Sequence, residues 1–441
     1  MNTRTAALLG LVISAANAQS ALALSMQEAM AKAIATHPEG LAAEKNQAAI
    51  GHQIDIAKGG YLPTVDLTAG TGWENSTNPS TRFRAGRGPG DKPSRDLWRN
   101  ESRLTVRQMI WDAHQTKYRV AQQTSRFESA AFNVADVKNQ LALRAAESYL
   151  NVLRTAELVA LSEQNLAKHN EYVGKIADRK AGGRAAGADI KQAESRRELA
   201  EANLIAAKGQ LREAEADYLE VVGEMPNAPV KDATPFGVLP ADTASAIARA
   251  MDNSPVIANA KANIKAANAE LAEAACPFCP RLEAEGGISR NHNLDGVQGV
   301  NHDMTAMLYL RQNLYNGGRD VAQRKERLER VSEATDMLEG QRRLVEQAVI
   351  KAMARMDSAK NRLTPLTNSV EAVTSTRDAY QTQFNLGQRS LLDLLDSEVE
   401  LFNAKAALIN GKYDLDAAAY AVLANMGELV VSDHSMVVAA N

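Results

Sequence analysis

The chain has 441 residues and a net charge of −3 at pH 7, and only 5% of its residues are aromatic. A charge so close to neutral, with no prominent basic run, gives no indication of a nucleic-acid partner. The alanine-rich, aromatic-poor composition favours long helices with small contact residues over a bulky globular core.

The first 23 residues have the layout of a cleavable secretory signal. Arg4 precedes an apolar run over residues 6–16, and Ala18 and Ala23 end two candidate cleavage sites. The run is too short for a spanning helix, and a buried N-terminal helix is the alternative. No cysteine follows either site, so we expect no lipid anchor there. After Ala23 no stretch approaches the roughly 18 apolar residues of a membrane helix. We expect an exported chain.

The mature sequence contains two copies of one unit. The stretch from Gln108, QMIWDAHQTKYRVAQQ, resembles the stretch from Gln312, QNLYNGGRDVAQRKER, at an offset of 204 residues. The same offset pairs Glu194 with Glu398. Such self-similarity indicates a repeated structural unit. We predict a signal peptide (1–23), a first repeat (24–225), a linker (226–241), a second repeat (242–429) and a C-terminal tail (430–441).

Each copy has the same predicted order of elements. A helical segment, Met26–Lys58 or Thr243–Ala275, ends at a proline-marked turn. Two alternating segments follow, within 64–110 and 281–314, and then a long helical stretch, a glycine and a last helix. Apolar residues recur at spacings of three and four along both last helices, a period that predicts coiled-coil packing.

The alternating segments predict four strands. In TVDLTAGTGW and WRNESRLTVRQMI one face is apolar and the other carries the polar and charged residues, and RLEAEGGIS and HDMTAMLYLRQ are weaker cases. This pattern is typical of a membrane barrel with a wet lumen. All three tryptophans (Trp73, Trp98 and Trp111) lie in the first strand pair, as an interfacial girdle would place them. The alternative is two ordinary hairpins on a soluble domain.

Four strands cannot close a membrane barrel by themselves. An open sheet edge leaves backbone groups without partners, and lipid supplies none. If these strands cross a membrane, several copies of the chain must contribute to one barrel.

This order of elements resembles the TolC family of outer-membrane channel proteins over residues 24–429. The resemblance is carried by the duplication, GYLPTVDLTA from Gly60, the QMIWD and QNLYNGG pair, and LGQRSLLDLLDSEVELFNAKAAL from Leu386. It implies a mainly α fold with a membrane β-barrel portion. Three copies would supply about twelve strands, four each, above a helical tunnel that reaches into the periplasm.

The resemblance also implies partners. Proteins of this family sit in the outer membrane of Gram-negative bacteria and join an inner-membrane ABC transporter or proton-driven pump through a periplasmic adaptor. The GGYLPTVDLTAG stretch and the long arginine-rich loop TRFRAGRGPGDKPSR look most like the type I secretion branch, which exports large adhesins or RTX proteins.

The same resemblance assigns residues to the tunnel entrance. Gly183 and Gly387 match the turns at the periplasmic tip, which adaptors contact. Asp393 and Asp396 share a helix face and match the constriction. Ordinary explanations exist for both sets, because aspartates stabilise helix starts and glycines end helices.

A latch beside the constriction is implied as well. Arg389 would pair with Asp189 and hold neighbouring coils together. Phe384 stands where some relatives have a tyrosine that joins this network. Because Phe384 has no hydroxyl, we expect the latch to be weaker or wired differently.

The two cysteines, Cys276 and Cys279, form a CxxC pair at a helix-to-strand junction. A local disulfide is the favoured state in an exported chain, because catalysis or zinc binding would need a different context or further ligands. The histidines show no metal spacing and no phosphate loop is present. We expect no enzyme activity and no cofactor.

Three functions compete at this point. The first is a trimeric outer-membrane exit duct for type I secretion, and the second is the same duct serving multidrug or metal efflux. The third is a periplasmic coiled-coil scaffold or adaptor, which two helical hairpins and four alternating strands disfavour. The first two differ mainly in the partner transporter.

Overall fold

The structure is a computed structural model and describes residues 25–85, 94–182, 187–226 and 239–430. Within these ranges lie the α-helices α1 (Met26–Thr36), α2 (Pro38–Lys58), α3 (Pro79–Ala85), α4 (Gln115–Ala181), α5 (Gly187–Val222), α6 (Thr243–Asn253), α7 (Pro255–Glu273), α8 (Arg319–Asn385) and α9 (Leu391–Asn425). The strands are β1 (Thr64–Ser76), β2 (Arg95–Trp111), β3 (Arg281–His292) and β4 (Val300–Arg311). Gly183, the predicted signal peptide and most of the predicted linker and tail lie outside the described residues.

The longest helix of the first repeat is α4 and that of the second is α8, and each has 67 residues. At about 1.5 Å per residue, each is roughly 100 Å long. None of the helices in the described ranges combines the length and apolarity that a membrane crossing requires.

The predicted opening helix of each repeat is divided in two. His37 and Ser254 have extended ψ angles of 131° and 122°, and each precedes a proline. A proline disfavours helical backbone at the residue before it, so α1 ends before Pro38 and α6 before Pro255. The sequence therefore placed these segments correctly but missed the break.

The strands form one antiparallel sheet in the order β1-β2-β3-β4. The register aligns Leu67, Leu104, Ile288 and Met304 as a row across all four strands. These four side chains are 41–82% exposed. The predicted apolar face therefore exists, and its central row is not covered by the described residues.

Tryptophans lie at both ends of this apolar face. Trp73 pairs with Trp98 at one end. At the other end a register shift between Met109 and Trp111 brings Trp111 opposite Leu282. A bulge inserts one residue and so reverses the face of the residues beyond it, which puts Trp111 on the apolar side.

Contacts within the chain define two compact units. The first takes its described residues from ranges 1–37, 141–238 and 353–422, and the second from 38–140, 239–352 and 423–441. The sheet belongs to the second unit. In the first unit, the predicted seam of α5 supplies its buried side chains, among them Ala193, Ala200 and Tyr218.

Candidate functional site

The candidate site lies in the first unit, where α4 and α5 (the first helix pair) meet α8 and α9 (the second helix pair). At the turn between α8 and α9, Gln388 N–H donates to the Gln383 carbonyl (2.9 Å) and Gly387 N–H donates to the Phe384 carbonyl (3.0 Å). Gly387 has φ +77°. These features form a Schellman motif, in which only glycine adopts the left-handed backbone without strain.

Helix α9 begins directly after this turn with a side-chain cap. Ser390 Oγ accepts from the Asp393 backbone N–H at 3.1 Å, which satisfies one of the orphan donors of the first turn. The Asp393 carboxylate also lies in that turn, where the helix dipole favours negative charge.

Arg389 contacts residues of its own helix pair. Its guanidinium stacks 3.8 Å from the Tyr380 ring centroid, and its Nε lies 3.6 Å from Asp393 Oδ2. Asp189 lies in the first turn of α5. The predicted pairing of Arg389 with Asp189 between neighbouring coils stays a prediction.

Asp396 is bound by the first helix pair. Arg196 Nη2 donates to Asp396 Oδ1 at 2.7 Å, although the Asp396 side chain is still 54% exposed. Together with the contact between Arg389 and Asp393, this gives each predicted constriction carboxylate a cationic neighbour inside the chain.

Phe384 is contacted by an arginine that the sequence did not single out. The Arg179 guanidinium lies 4.0 Å from the ring centroid of Phe384, and Arg179 Nη2 donates to the Phe384 carbonyl at 3.0 Å. A cation over an aromatic face and a donor at the last carbonyls of a helix are both stabilising. The phenylalanine thus joins the two helix pairs without a hydroxyl.

An apolar cluster lies behind these contacts and draws on all four helices. Its members are Tyr172, Ile176, Ala193, Phe384, Leu391, Leu394 and Leu395, all at most 6% exposed. Burial of this cluster gives the turn between α8 and α9 a rigid support, because packed side chains resist displacement.

A buried glutamate, Glu398, follows the cluster residues Leu394 and Leu395 along α9. Glu398 is 4% exposed. Tyr172 Oη donates to Glu398 Oε1 at 2.6 Å, and Arg377 Nη1 donates to the same oxygen at 3.0 Å. Arg377 Nε also lies 3.0 Å from Asp378 Oδ1. Burial, followed by the neighbouring Glu398, raises the pKa of Tyr172, so its hydroxyl remains a donor.

His169 completes this region from α4. It is 2% exposed, and its ring packs edge-on against Tyr172 with centroids 6.4 Å apart. Its Nδ1 finds no hydrogen-bond partner among the described residues. Burial lowers the pKa of His169, Glu398 opposes that shift and Arg196 adds to it, so the imidazole is neutral at pH 7.

The predicted disulfide is not formed in this structure. Cys276 is buried and Cys279 exposed, and both are free thiols. Cys276 Sγ lies 3.4 Å from the Ala113 carbonyl, at the start of a 3₁₀ turn over Cys276–Phe278. The turn points the first thiol inward while the second faces solvent. The pairing stays a prediction for the exported chain.

Several of these residues were missed by sequence reasoning. Glu398 carried a signal, because it lies four residues after the buried Leu394 and so on the packed face of α9. Tyr172, Arg377, Arg179 and His169 carried none, because each makes its contact with a residue distant in the sequence.

The chain is similar to known outer-membrane proteins. The family model for outer membrane efflux proteins matches residues 29–224 and 246–428. Outer membrane efflux protein BepC of Brucella suis is 26% identical over 388 residues, which is 88% of this chain and 81% of BepC. Alkaline protease secretion protein AprF of Pseudomonas aeruginosa is 24% identical over 416 residues, covering 90% of this chain and 83% of AprF.

A solved structure has the same fold. The CmeC outer membrane channel of Campylobacter jejuni superposes with a TM-score of 0.77 at 14% identity. The match covers 91% of this chain and 85% of CmeC.

Proposed function

The chain belongs to the outer membrane efflux protein family, the TolC family of channels, and from this membership we propose that it forms the trimeric exit duct of a type I secretion system. Proteins of this family are outer-membrane channels of Gram-negative bacteria that extend into the periplasm, and this chain is one of them. The similar proteins named above are an outer membrane efflux protein, a protease secretion protein and an outer membrane channel. The absence of enzyme activity stays a prediction.

The sheet carries the trimer proposal. Strands β1 and β4 each have one neighbour among the described strands, so both edges can pair with another copy. The exposed row of Leu67, Leu104, Ile288 and Met304 then faces lipid, with tryptophans at both ends of the band. The opposite face holds ion pairs such as Arg107 with Glu285, which suit a wet lumen.

We assign the tunnel entrance to the first unit. Threefold symmetry would bring three copies of Asp393 and Asp396 around one axis, where two carboxylates at ~4 Å repel by roughly 4 kcal/mol at an effective dielectric of 20. Arg196 and Arg389 offset part of that charge within each copy. The ring should still favour cations. Gly183 and Gly387 are proposed as adaptor-facing turns, and Arg389 with Asp189 as a latch between coils.

Planar-bilayer recordings test this assignment. Asp393→Ala combined with Asp396→Ala should weaken cation selectivity and block by divalent cations. Arg389→Ser should raise the resting conductance. If the double variant kept the wild-type cation selectivity and block by divalent cations, both aspartates would only stabilise the start of the helix.

The secretion branch is supported by AprF, a protease secretion protein that this chain resembles over 90% of its length. Deletion of the gene in its native host should abolish export of a large repeat protein and leave drug and metal tolerance unchanged. The opposite result would favour multidrug or metal efflux, and the similarity to BepC, an outer membrane efflux protein, supports an efflux role. The partner would then be a proton-driven pump instead of an ABC transporter, joined in either case through a periplasmic adaptor.

A further inference from the structure

Side chains from three helices meet at one buried carboxylate. We call Glu398 (α9), Tyr172 (α4) and Arg377 (α8) the Glu398 node. Tyr172 and Arg377 both donate to Oε1 of Glu398, at 2.6 and 3.0 Å. The Arg377 side chain is 15% exposed and that of Glu398 is 5% exposed, so water competes little for either.

The two donors have different structural consequences. Arg377 and Glu398 belong to the same helix pair, so their contact joins α8 to α9. Tyr172 belongs to the first helix pair, so its hydrogen bond joins that pair to the second. Two residues nearer the start of α9, Asp396 accepts from Arg196 and so joins the same two helix pairs. Two contacts therefore join the helix pairs in this region, an exposed one at Asp396 and a buried one at the Glu398 node.

Because the carboxylate is buried, the contact between the helix pairs is stable only when it is fully formed or fully broken. An ionised group in an apolar setting is unfavourable unless it is hydrogen-bonded, and an unpaired one is far worse than an exposed one. If α9 moved away from α4, Glu398 would lose the Tyr172 donor and would need water in its place. Intermediate separations would leave the charge incompletely solvated, so the contact favours either full closure or full separation.

We propose that the Glu398 node is a second lock on the tunnel entrance, which holds the two helix pairs together independently of the latch at Arg389. The proposal rests on the proposed function, because it concerns the resting state of the same duct. Tyr172, Arg377 and Glu398 are positioning residues here: they fix helices and do not touch cargo. Opening the duct then requires separation both at the tip and at the node.

The test is the resting conductance of full-length trimers in planar bilayers. Tyr172→Phe removes one hydroxyl from a buried hydrogen bond and keeps the ring, so folding should survive. A hydrogen bond to a charged group should hold the closed state by about tenfold in equilibrium, so the open fraction should rise about tenfold. Glu398→Leu, which removes both acceptor oxygens, should raise it at least as much. Glu171→Gln, which removes an exposed carboxylate one residue from Tyr172, should leave it unchanged.

Double variants distinguish a specific contact between the helix pairs from a non-specific destabilisation of their packing. Tyr172→Phe combined with Glu398→Leu should conduct like Glu398→Leu alone, because the Tyr172 hydroxyl has lost its acceptor once the carboxylate is gone. Tyr172→Phe combined with Arg389→Ser should multiply the two single effects, because the locks are independent. Trimer yield and the thermal midpoint of Tyr172→Phe should stay close to wild type.

Two outcomes would overturn the inference. One is a wild-type resting conductance in Tyr172→Phe while Arg389→Ser still opens the channel, which would leave the proposed duct intact. The other is an equal rise in Glu171→Gln. A wild-type chain that forms no channels would refute the proposed function and the lock together. If Glu398→Leu fails to assemble, Tyr172→Phe decides.

Discussion

Glu194 and Glu398 occupy the same position in the two repeats but have opposite environments. Glu194 is only half-buried on α5, where Lys191 donates to it at 2.8 Å and lowers its pKa. Glu398 is buried on α9 between Tyr172 and Arg377. The offset that aligns these glutamates aligns Tyr172 with Thr376, so the partners of Glu398 have no equivalent in the other copy.

Neighbouring positions show why the two helices differ. The first turns of α5 and α9 align Lys191 with Leu395. The Lys191 side chain is 80% exposed, whereas Leu395 is completely buried. Apolar residues in the second copy therefore keep one face of α9 buried, and Glu398 lies on that face. The two repeats thus contain similar helices, and a few side chains decide that the start of α9 is the more deeply packed of the two.

The largest expected effect on stability comes from exchanging the aligned residues Lys191 and Leu395. Leu395→Lys places a charge where the apolar cluster leaves no counter-charge. We expect a loss of about 3–5 kcal/mol in unfolding free energy, the scale of an uncompensated buried charge. Thermal unfolding followed by far-UV circular dichroism measures it.

Lys191→Leu is the matched control for that variant. It makes the reciprocal exchange on an exposed position of α5, so its midpoint should remain at the wild-type value. Equal losses in both variants would mean that the two helix starts are equally packed and that the asymmetry is not real.

A smaller effect should come from the contact between the helix ends. Arg179→Met keeps the apolar stem but removes the cation over Phe384 and the donor to its carbonyl. We expect a loss of about 1–2 kcal/mol in unfolding free energy. Arg212→Met, on α5, removes an exposed arginine whose hydrogen bond stays within its own helix, and should change nothing measurable. A loss of similar size in both would contradict a specific role for Arg179.

The element order, the strand faces and the seams of the last helices could be predicted because they depend on local periodicity. Val65 and Leu67 alternate with polar residues, and Ala193 and Ala200 recur at helical spacing, whatever the partners are. The proline breaks at Pro38 and Pro255 were also readable but were not used. Arg179 and Tyr172 could not be identified, since their roles depend on which helices meet. A single sequence does not contain that register.

The smallest expected effect is on the pH dependence of stability, and it arises from a residue that only the first repeat has. His169 aligns with Val373, so the aligned position of the second copy does not titrate. Burial lowers the pKa of His169 below its ordinary value of 6.5, although Glu398 partly opposes the shift and Arg196 reinforces it. The unfolded chain therefore binds more protons than the folded one below pH 6.5, and stability is lost as the pH falls through the lowered pKa.

The expected size is about 1.4 kcal/mol for each unit by which the pKa is lowered. Thermal midpoints measured between about pH 7.5 and about pH 5.5, above the range in which ordinary carboxylates titrate, should fall for the wild type and fall less for His169→Gln. His52→Gln, which removes an exposed imidazole, should keep the wild-type pH dependence. If His169→Gln followed the wild-type curve, His169 would contribute nothing to the pH dependence, because Glu398 would just offset burial, and the predicted loss would be refuted. If His169→Gln instead lost more stability in acid than the wild type, Glu398 would outweigh burial, and acid would strengthen the contact between the helix pairs instead of weakening it.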